Sequence, residues 1–278
     1  MTASDRVVTA NGLRLHYLDY GGDGLPWIVC IHGLTGNAHN FDGVAAHLAG
    51  KYHVLSIDVR GRGDSEWGQS TEYLPQNYLT DLSEMMAALG IERTSLIGTS
   101  MGGIISMMYA GGWPDRVERL VLNDIGPEID SAGVARIQSY LSETPDRFES
   151  MDDVVSYYRA NYPPMSKLPD AALREIVKWS VKPGPEGDMV WKIDSAIRRP
   201  PRGATTQQRL DLWVPYARIS CPVLIIRGAE SDILVSDTVT RMCQVLRAAT
   251  AVEIPGVAHA PLLTEPASLA ALKKFFSV

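Results

Sequence analysis

The chain has 278 residues, 45% of them hydrophobic and 21% charged, which suits one large globular domain, or one carrying an insertion. A formal net charge of −6 leaves no basic footprint, so nucleic acid is excluded as a partner class. No apolar run approaches the roughly 20 residues of a membrane span; the N-terminal MTASDRVVTANG lacks the apolar core of a secretion signal, and the expectation is a cytoplasmic protein.

Residues 6–10 and 13–20 read as strands around Asn11-Gly12, a hairpin signal. PWIVCIHG (26–33) is a short apolar run closed by glycine, the pattern of a buried strand. Residues 38–49 are helical, with Phe41, Val44, Ala45 and Leu48 on one face. HVLSID (53–58) is another buried strand, and Gly61 and Gly63 break the chain after it. A helix over 76–89, a strand over 94–99, a helix over 101–111 and a strand over 118–124 follow. Strands alternating with helices at this spacing predict βαβ units and a parallel sheet.

From about Pro127 to Trp213 the rhythm breaks. Helical patterns at 131–142, 151–160 and 169–180 are separated by Tyr162-Pro163-Pro164, Pro183-Gly184-Pro185 and Arg199-Pro200-Pro201, and no strand is convincing. The stretch reads as a helical insertion. The sheet rhythm returns with 221–228, a helix near 236–247, a strand over 250–254 and a helix over 266–277. Cys30, Cys221 and Cys243 are an odd set without a C-x-x-C, which reads as free thiols.

The stretch LIGTSMGGI (96–104) carries the chemistry. Gly98-Thr99-Ser100-Met101-Gly102 is not decisive alone, but a strand precedes it and a helix follows, as a nucleophile elbow requires. Side chains at 98 and 102 would strike neighbouring backbone in so tight a turn. A serine nucleophile needs a base, and the base an orienting acid. His259 alone among the six histidines lies just after a late strand, and Asp232 lies just after strand 222–227. Ser100, Asp232 and His259 thus all follow the C-terminal ends of parallel strands, where open α/β sheets place their sites. The N–H groups of Met101 and Leu34 are the expected oxyanion hole.

With HGLTG (32–36), DVRGRGDS (58–65), GTSMGG (98–103), RGAESD (227–232) and PGVAHAP (255–261), the chain resembles the α/β-hydrolase fold superfamily, in its capped, esterase-like form. The resemblance implies a mostly parallel eight-stranded sheet flanked by helices. A helical cap over 127–213 would be inserted after the sixth strand, with 1–126 and 214–278 as the core. It implies a serine hydrolase cleaving a small-molecule carboxylic ester through an acyl-enzyme, without cofactor or metal. Asp124 is the alternative acid, at a place where some relatives of the fold carry it. In similar proteins His32 orders the oxyanion loop, while Asp58, Arg60, Gly61 and Gly63 pin the loop after the fourth strand. His16, His39, His47 and His53 have no partner pattern.

Arg198, Arg199 and Arg202 read as a solvated face of the cap, whose charges nearly balance. Tyr157, Tyr158, Tyr162, Trp179 and Trp191 are candidates for the lining of an acyl pocket, though the cap is no richer in aromatics than the chain. Thioesterase, lactonase, perhydrolase and carbon–carbon bond hydrolase share the triad. The last is demoted because Ala260-Pro261-Leu262 follows the histidine where an aromatic is usual. An aspartate-nucleophile dehalogenase or epoxide hydrolase is disfavoured by Ser100. A receptor-like member that binds its ligand with little turnover is the rival from another class.

Overall fold

The computed structural model describes residues 3–199 and 211–278. Pro200, Pro201 and Arg202 lie outside the described residues. The strands are β1 (Ser4–Ala10), β2 (Leu13–Asp19), β3 (Trp27–Ile31), β4 (His53–Ile57), β5 (Thr94–Thr99), β6 (Val117–Asn123), β7 (Arg147–Phe148), β8 (Val181–Pro183), β9 (Met189–Trp191), β10 (Val223–Gly228) and β11 (Ala249–Ile254). The helices are α1 (Asp42–Leu48), α2 (Pro75–Ala88), α3 (Met101–Gly112), α4 (Ser131–Glu143), α5 (Met151–Asn161), α6 (Asp170–Val177), α7 (Ser195–Arg198), α8 (Trp213–Ala217), α9 (Ser236–Val245) and α10 (Pro266–Phe276).

Eight strands form one sheet in the order β1-β2-β4-β3-β5-β6-β10-β11. The β1–β2 hairpin turns at Asn11-Gly12, and β2 meets β4 antiparallel. From β4 to β11 every pairing is parallel. The continuous apolar runs of the central strands follow from burial on both faces. In β3, Val29 and Ile31 face one core and Ile28 and Cys30 the other; in β5, Leu96 and Ile97 divide the same way. One face is covered by α2, α3, α8 and α9, through residues such as Leu82, Ile105, Tyr216 and Met242. The other is covered by α1 and α10, through Leu48, Leu272 and Phe276. Cys30 and Cys221 are buried, Cys243 is half-buried, and all three are free thiols. No helix among the described residues is long and apolar enough to cross a membrane.

Between β6 and β10 the chain builds a smaller body with its own core, in which Phe148, Val154, Leu173, Val177 and Trp191 pack together. Contrary to the all-helical expectation, this segment contains a three-stranded antiparallel sheet, β7-β9-β8. Its strands are two or three residues long, too short to show an alternating pattern. The Pro183-Gly184-Pro185 joint is the start of the β8–β9 turn, closed by the Gly184 N–H on the Asp188 carbonyl at 2.8 Å. Among the described residues, two backbone anchors tie the segment to the main body. The Asp194 N–H donates to the Gly61 carbonyl at 2.9 Å, beside an isolated bridge between Arg62 and Ile193. At the other anchor, the Asp130 N–H donates to the Ile233 carbonyl at 3.2 Å. From Leu212 onward the chain packs again against the main core.

Candidate active site

Ser100 stands between β5 and α3 with φ +52°, a left-handed conformation rare for a residue with a side chain. The turn is held by its glycines. A Cβ on Gly98 would lie 2.5 Å from the Gly102 carbonyl oxygen, and one on Gly102 would lie 2.0 Å from that of Ile31. No side chain fits either place. The Ser100 N–H donates to the Asn123 carbonyl at 3.0 Å, and the Ser100 carbonyl accepts from Gly103 and Ile104. The serine hydroxyl therefore projects from the N-terminus of α3, into a cavity of about 510 Å³ beneath the β6–β10 segment.

His259 arrives on the loop after β11. Its Nε2 lies 2.9 Å from Ser100 Oγ, and its Nδ1 lies 2.7 Å from Asp124 Oδ2. Asp124 is fully buried at the end of β6, also at positive φ. Its second oxygen accepts the Gly228 N–H at 2.9 Å. A carboxylate has no proton to give at neutral pH, so Nδ1–H is the donor to Asp124. Nε2 is then the lone-pair nitrogen facing the serine hydroxyl. Buried Asn123 binds the neighbouring strands to this loop: its amide donates to Thr99 Oγ1 at 3.0 Å and to the Pro261 carbonyl at 2.8 Å.

Asp232, the acid expected from the sequence, makes no hydrogen bond to His259. Arg136 of α4 takes both its oxygens, Nε to Oδ2 at 2.5 Å and Nη2 to Oδ1 at 2.8 Å. That pair is the main reason the Asp232 carboxyl sits below the usual carboxylate range; the nearby His259 adds a smaller pull. The reason for the correction is topological. β6 and β10 are neighbours, with Asn123 paired to Ile226. Asp124 and Asp232 thus leave the same sheet edge one strand apart, and only the fold shows which one faces the imidazole.

The Leu34 loop borders the cavity, and among the described residues no protein acceptor takes the Leu34 N–H. Met101 is the first residue of α3, where helix N–H groups have no intrahelical partner. Both expected oxyanion donors share one support that the sequence reading passed over, Arg62. This fully buried side chain donates from Nε to the Leu34 carbonyl at 3.1 Å and from Nη2 to Met101 Sδ at 3.4 Å. Its Nη1 donates to the Arg60 carbonyl at 2.9 Å and the Tyr78 hydroxyl at 3.0 Å, and its guanidinium lies 5.0 Å from the centre of the Tyr78 ring. The position inside DVRGRGDS was a signal, but only packing shows its aim. His32 bonds the loop on the other side: Nδ1–H donates to the Gly33 carbonyl at 2.7 Å, and Nε2 accepts the Val59 N–H at 3.0 Å. Burial pushes the His32 pKa down to about 4, so the imidazole is neutral, as both bonds require.

Asp58 pins its own loop. Its carboxylate accepts the Ala38 N–H at 2.7 Å, the Asp64 N–H at 2.9 Å and His16 Nδ1–H at 2.7 Å. Arg60 clamps Asp81 with two bonds. His16, Asp58 and Asp64 are close enough to share an ion, a grouping the sequence did not suggest. Each already has protein partners: His16 also meets Asp5, and Asp64 meets Lys192. His39, assigned nothing from sequence, stacks on Trp179 with ring centres 3.7 Å apart. His53 meets Asp19 at 2.8 Å, and His47 Nδ1–H donates to the Gly43 carbonyl.

Of the aromatic candidates, Tyr158, Tyr162 and Trp179 line the cavity. Tyr157 and Trp191 do not; Trp191 packs on Phe148 and donates its indole N–H to the Pro145 carbonyl. Arg198 departs from the expected solvated face. It is buried, and pairs with Asp146 at 3.1 Å. Arg199 also pairs with Asp146, at 2.7 Å, and Arg202 lies outside the described residues.

Comparison with known proteins agrees with this architecture. Residues 26–266 match the family model for the alpha/beta hydrolase fold. The 3-hydroxybutyrate-oligomer hydrolase of Cupriavidus necator is 35% identical over 293 aligned positions, spanning 100% of this chain and 99% of that protein. The 2-(acetamidomethylene)succinate hydrolase of Mesorhizobium japonicum is 25% identical over 84% of this chain and 81% of its own length. The crystal structure of an alpha/beta hydrolase from Novosphingobium aromaticivorans superposes with a TM-score of 0.90 at 35% identity, covering 100% of this chain and 99% of that one. The chain belongs to the α/β-hydrolase fold family, and the two relatives from Cupriavidus necator and Mesorhizobium japonicum are hydrolases.

Proposed function

We propose that this member of the α/β-hydrolase fold family is a carboxylic ester hydrolase with Ser100, His259 and Asp124 as its catalytic triad. The observation that carries the reading is the unbroken chain of hydrogen bonds from Ser100 Oγ through both ring nitrogens of His259 to buried Asp124. As Ser100 Oγ attacks the ester carbonyl carbon, its proton passes to His259 Nε2. Asp124 holds the ring in the correct tautomer and offsets the imidazolium charge. The Leu34 and Met101 N–H groups bind the developing oxyanion. Collapse expels the alcohol, which takes the proton from Nε2. Water, activated by the same nitrogen, then attacks the acyl-enzyme and releases the acid.

The name of the Cupriavidus necator relative supports a substrate of the same kind, a short oligomer of a hydroxy acid, whose units are joined by ester bonds. Residues 127–213 act in this reading as a cap that selects substrate and excludes water, with Tyr158 and Trp179 on its inner wall. The test is a panel of p-nitrophenyl esters, thioesters and lactones, assayed with wild type and Ser100→Ala. Ester turnover that vanishes in the variant, with a phosphonate adduct mapped to Ser100, is expected. Turnover that survives Ser100→Ala, or a phosphonate adduct elsewhere in a fully inhibited enzyme, overturns the triad. Thioesters or lactones far outpacing esters would replace the substrate class.

A further inference from the structure

Helix α4 is fitted to the loop after β10 at one point. A Cβ on Gly133 would lie 2.3 Å from the Asp232 carbonyl oxygen, so only glycine permits this approach. One turn further along α4, Arg136 forms its two-pronged pair with Asp232. That pair uses Nε and Nη2. Nη1 has no protein partner among the described residues, so three of the five guanidinium N–H donors are left over. Arg136, Ile137 and Tyr140 share the inner face of α4 and line the same cavity as Ser100 and His259. The Arg136 side chain keeps 37% of its surface exposed despite the pair. Of the other charged groups on the cavity wall, Lys178 gives one bond to Glu175 at 2.5 Å and lies over the Trp179 ring, and Asp42 accepts from Tyr20 at 2.5 Å and from His39 at 3.0 Å.

From this placement, and resting on the ester-hydrolase reading, we infer that Arg136 binds a carboxylate carried by the substrate. The substrate class is then an ester with a free carboxylate, either an acylated hydroxy acid or a monoester of a dicarboxylic acid. Asp232 is the positioning residue. By holding one edge of the planar guanidinium it fixes the other edge toward the cavity, which removes much of the entropy cost of ordering a long side chain. The pair has no net charge, which suits a singly charged carboxylate bound through two parallel N–H donors better than a dianion. The acid near β10 thus serves recognition, while Asp124 serves the imidazole.

The test compares matched pairs. In one, the carboxylate lies on the alcohol side: 3-acetoxybutyrate against its methyl ester. In the other, it lies on the acyl side: the mono-p-nitrophenyl ester of glutarate against its methyl-capped form. The readout is the ratio of kcat/KM within each pair. Wild type is expected to favour the free carboxylate in at least one pair by about tenfold to a hundredfold, the range of a charged hydrogen bond. Arg136→Gln combined with Asp232→Asn keeps a neutral amide pair in place of the ion pair, and should bring that ratio close to one. Arg136→Lys should keep part of the preference. Calorimetry of 3-acetoxybutyrate and monomethyl glutarate, each a singly charged carboxylate, on Ser100→Ala reads binding without turnover. No preference for the anion in wild type, or the same preference in the double variant, overturns the inference. If no ester is turned over by wild type, the ester reading fails. Binding of either anion to Ser100→Ala that is lost on adding Arg136→Gln and Asp232→Asn would still uphold the carboxylate site.

Discussion

Asp124 and Asp232 follow neighbouring parallel strands at the same edge of the sheet, yet their surroundings are opposite. Asp124 is fully buried, with one oxygen on a backbone N–H and the other on His259. The side chain of Asp232 is 35% exposed and shares an arginine with the cavity. Water screens the second environment and not the first. The buried carboxylate can therefore fix a tautomer and stabilise an imidazolium, while the exposed one can only steer its partner. The same contrast separates Arg62, buried against the Leu34 loop, from Arg136, which faces the cavity.

The largest effect should come from exchanging the acids. Asp124→Asn is expected to lower kcat by about 10⁴, as loss of the orienting acid does in serine proteases, and Asp232→Asn by no more than about tenfold on a neutral ester. Steady-state assays on both purified variants decide it, and a reversed ranking would return the role to Asp232.

His32 gives the next test, through pH. Its folded pKa of about 4 lies below the unfolded value of 6.5. Between those values the unfolded chain binds a proton that the folded chain refuses. Its contribution to stability is therefore complete above pH 6.5 and lost as pH falls toward 4, on the order of 3 kcal/mol in all. Urea unfolding of wild type and His32→Asn across this window should show a shallower pH slope in the variant. Equal slopes would mean that the burial of His32 does not act on stability.

Arg62 extends the contrast to the Leu34 loop, the proposed source of an oxyanion donor. Arg62→Met should cost about 10² in kcat, the scale of losing one oxyanion donor. KM should move much less, and Arg62→Lys should recover part of the rate. A loss confined to KM would show that Arg62 shapes the pocket and does not position the donors. The smallest difference lies in stability. Asp124→Ala leaves the Gly228 and His259 N–H groups unpaired and should cost about 1–3 kcal/mol. Arg136→Ala, which breaks a part-exposed pair, should cost under about 1 kcal/mol. Chemical denaturation of the two variants ranks them.

What the sequence by itself determined was the part written in local chemistry. Apolar runs closed by glycine marked the buried strands, since a strand covered on both faces has no polar side. The glycines at 98 and 102 marked the elbow, since no side chain fits there. The order of strands put Ser100 and His259 at one edge. The tertiary structure alone decided which aspartate meets His259, because two adjacent strands deliver a carboxylate to that edge and the difference is a matter of direction and burial. It alone aimed Arg62 at Leu34 and Met101, and Arg136 at Asp232, partners distant in sequence that no periodic pattern connects. It also revealed the β7-β9-β8 sheet, whose two- and three-residue strands are held by neighbours and carry too little pattern of their own.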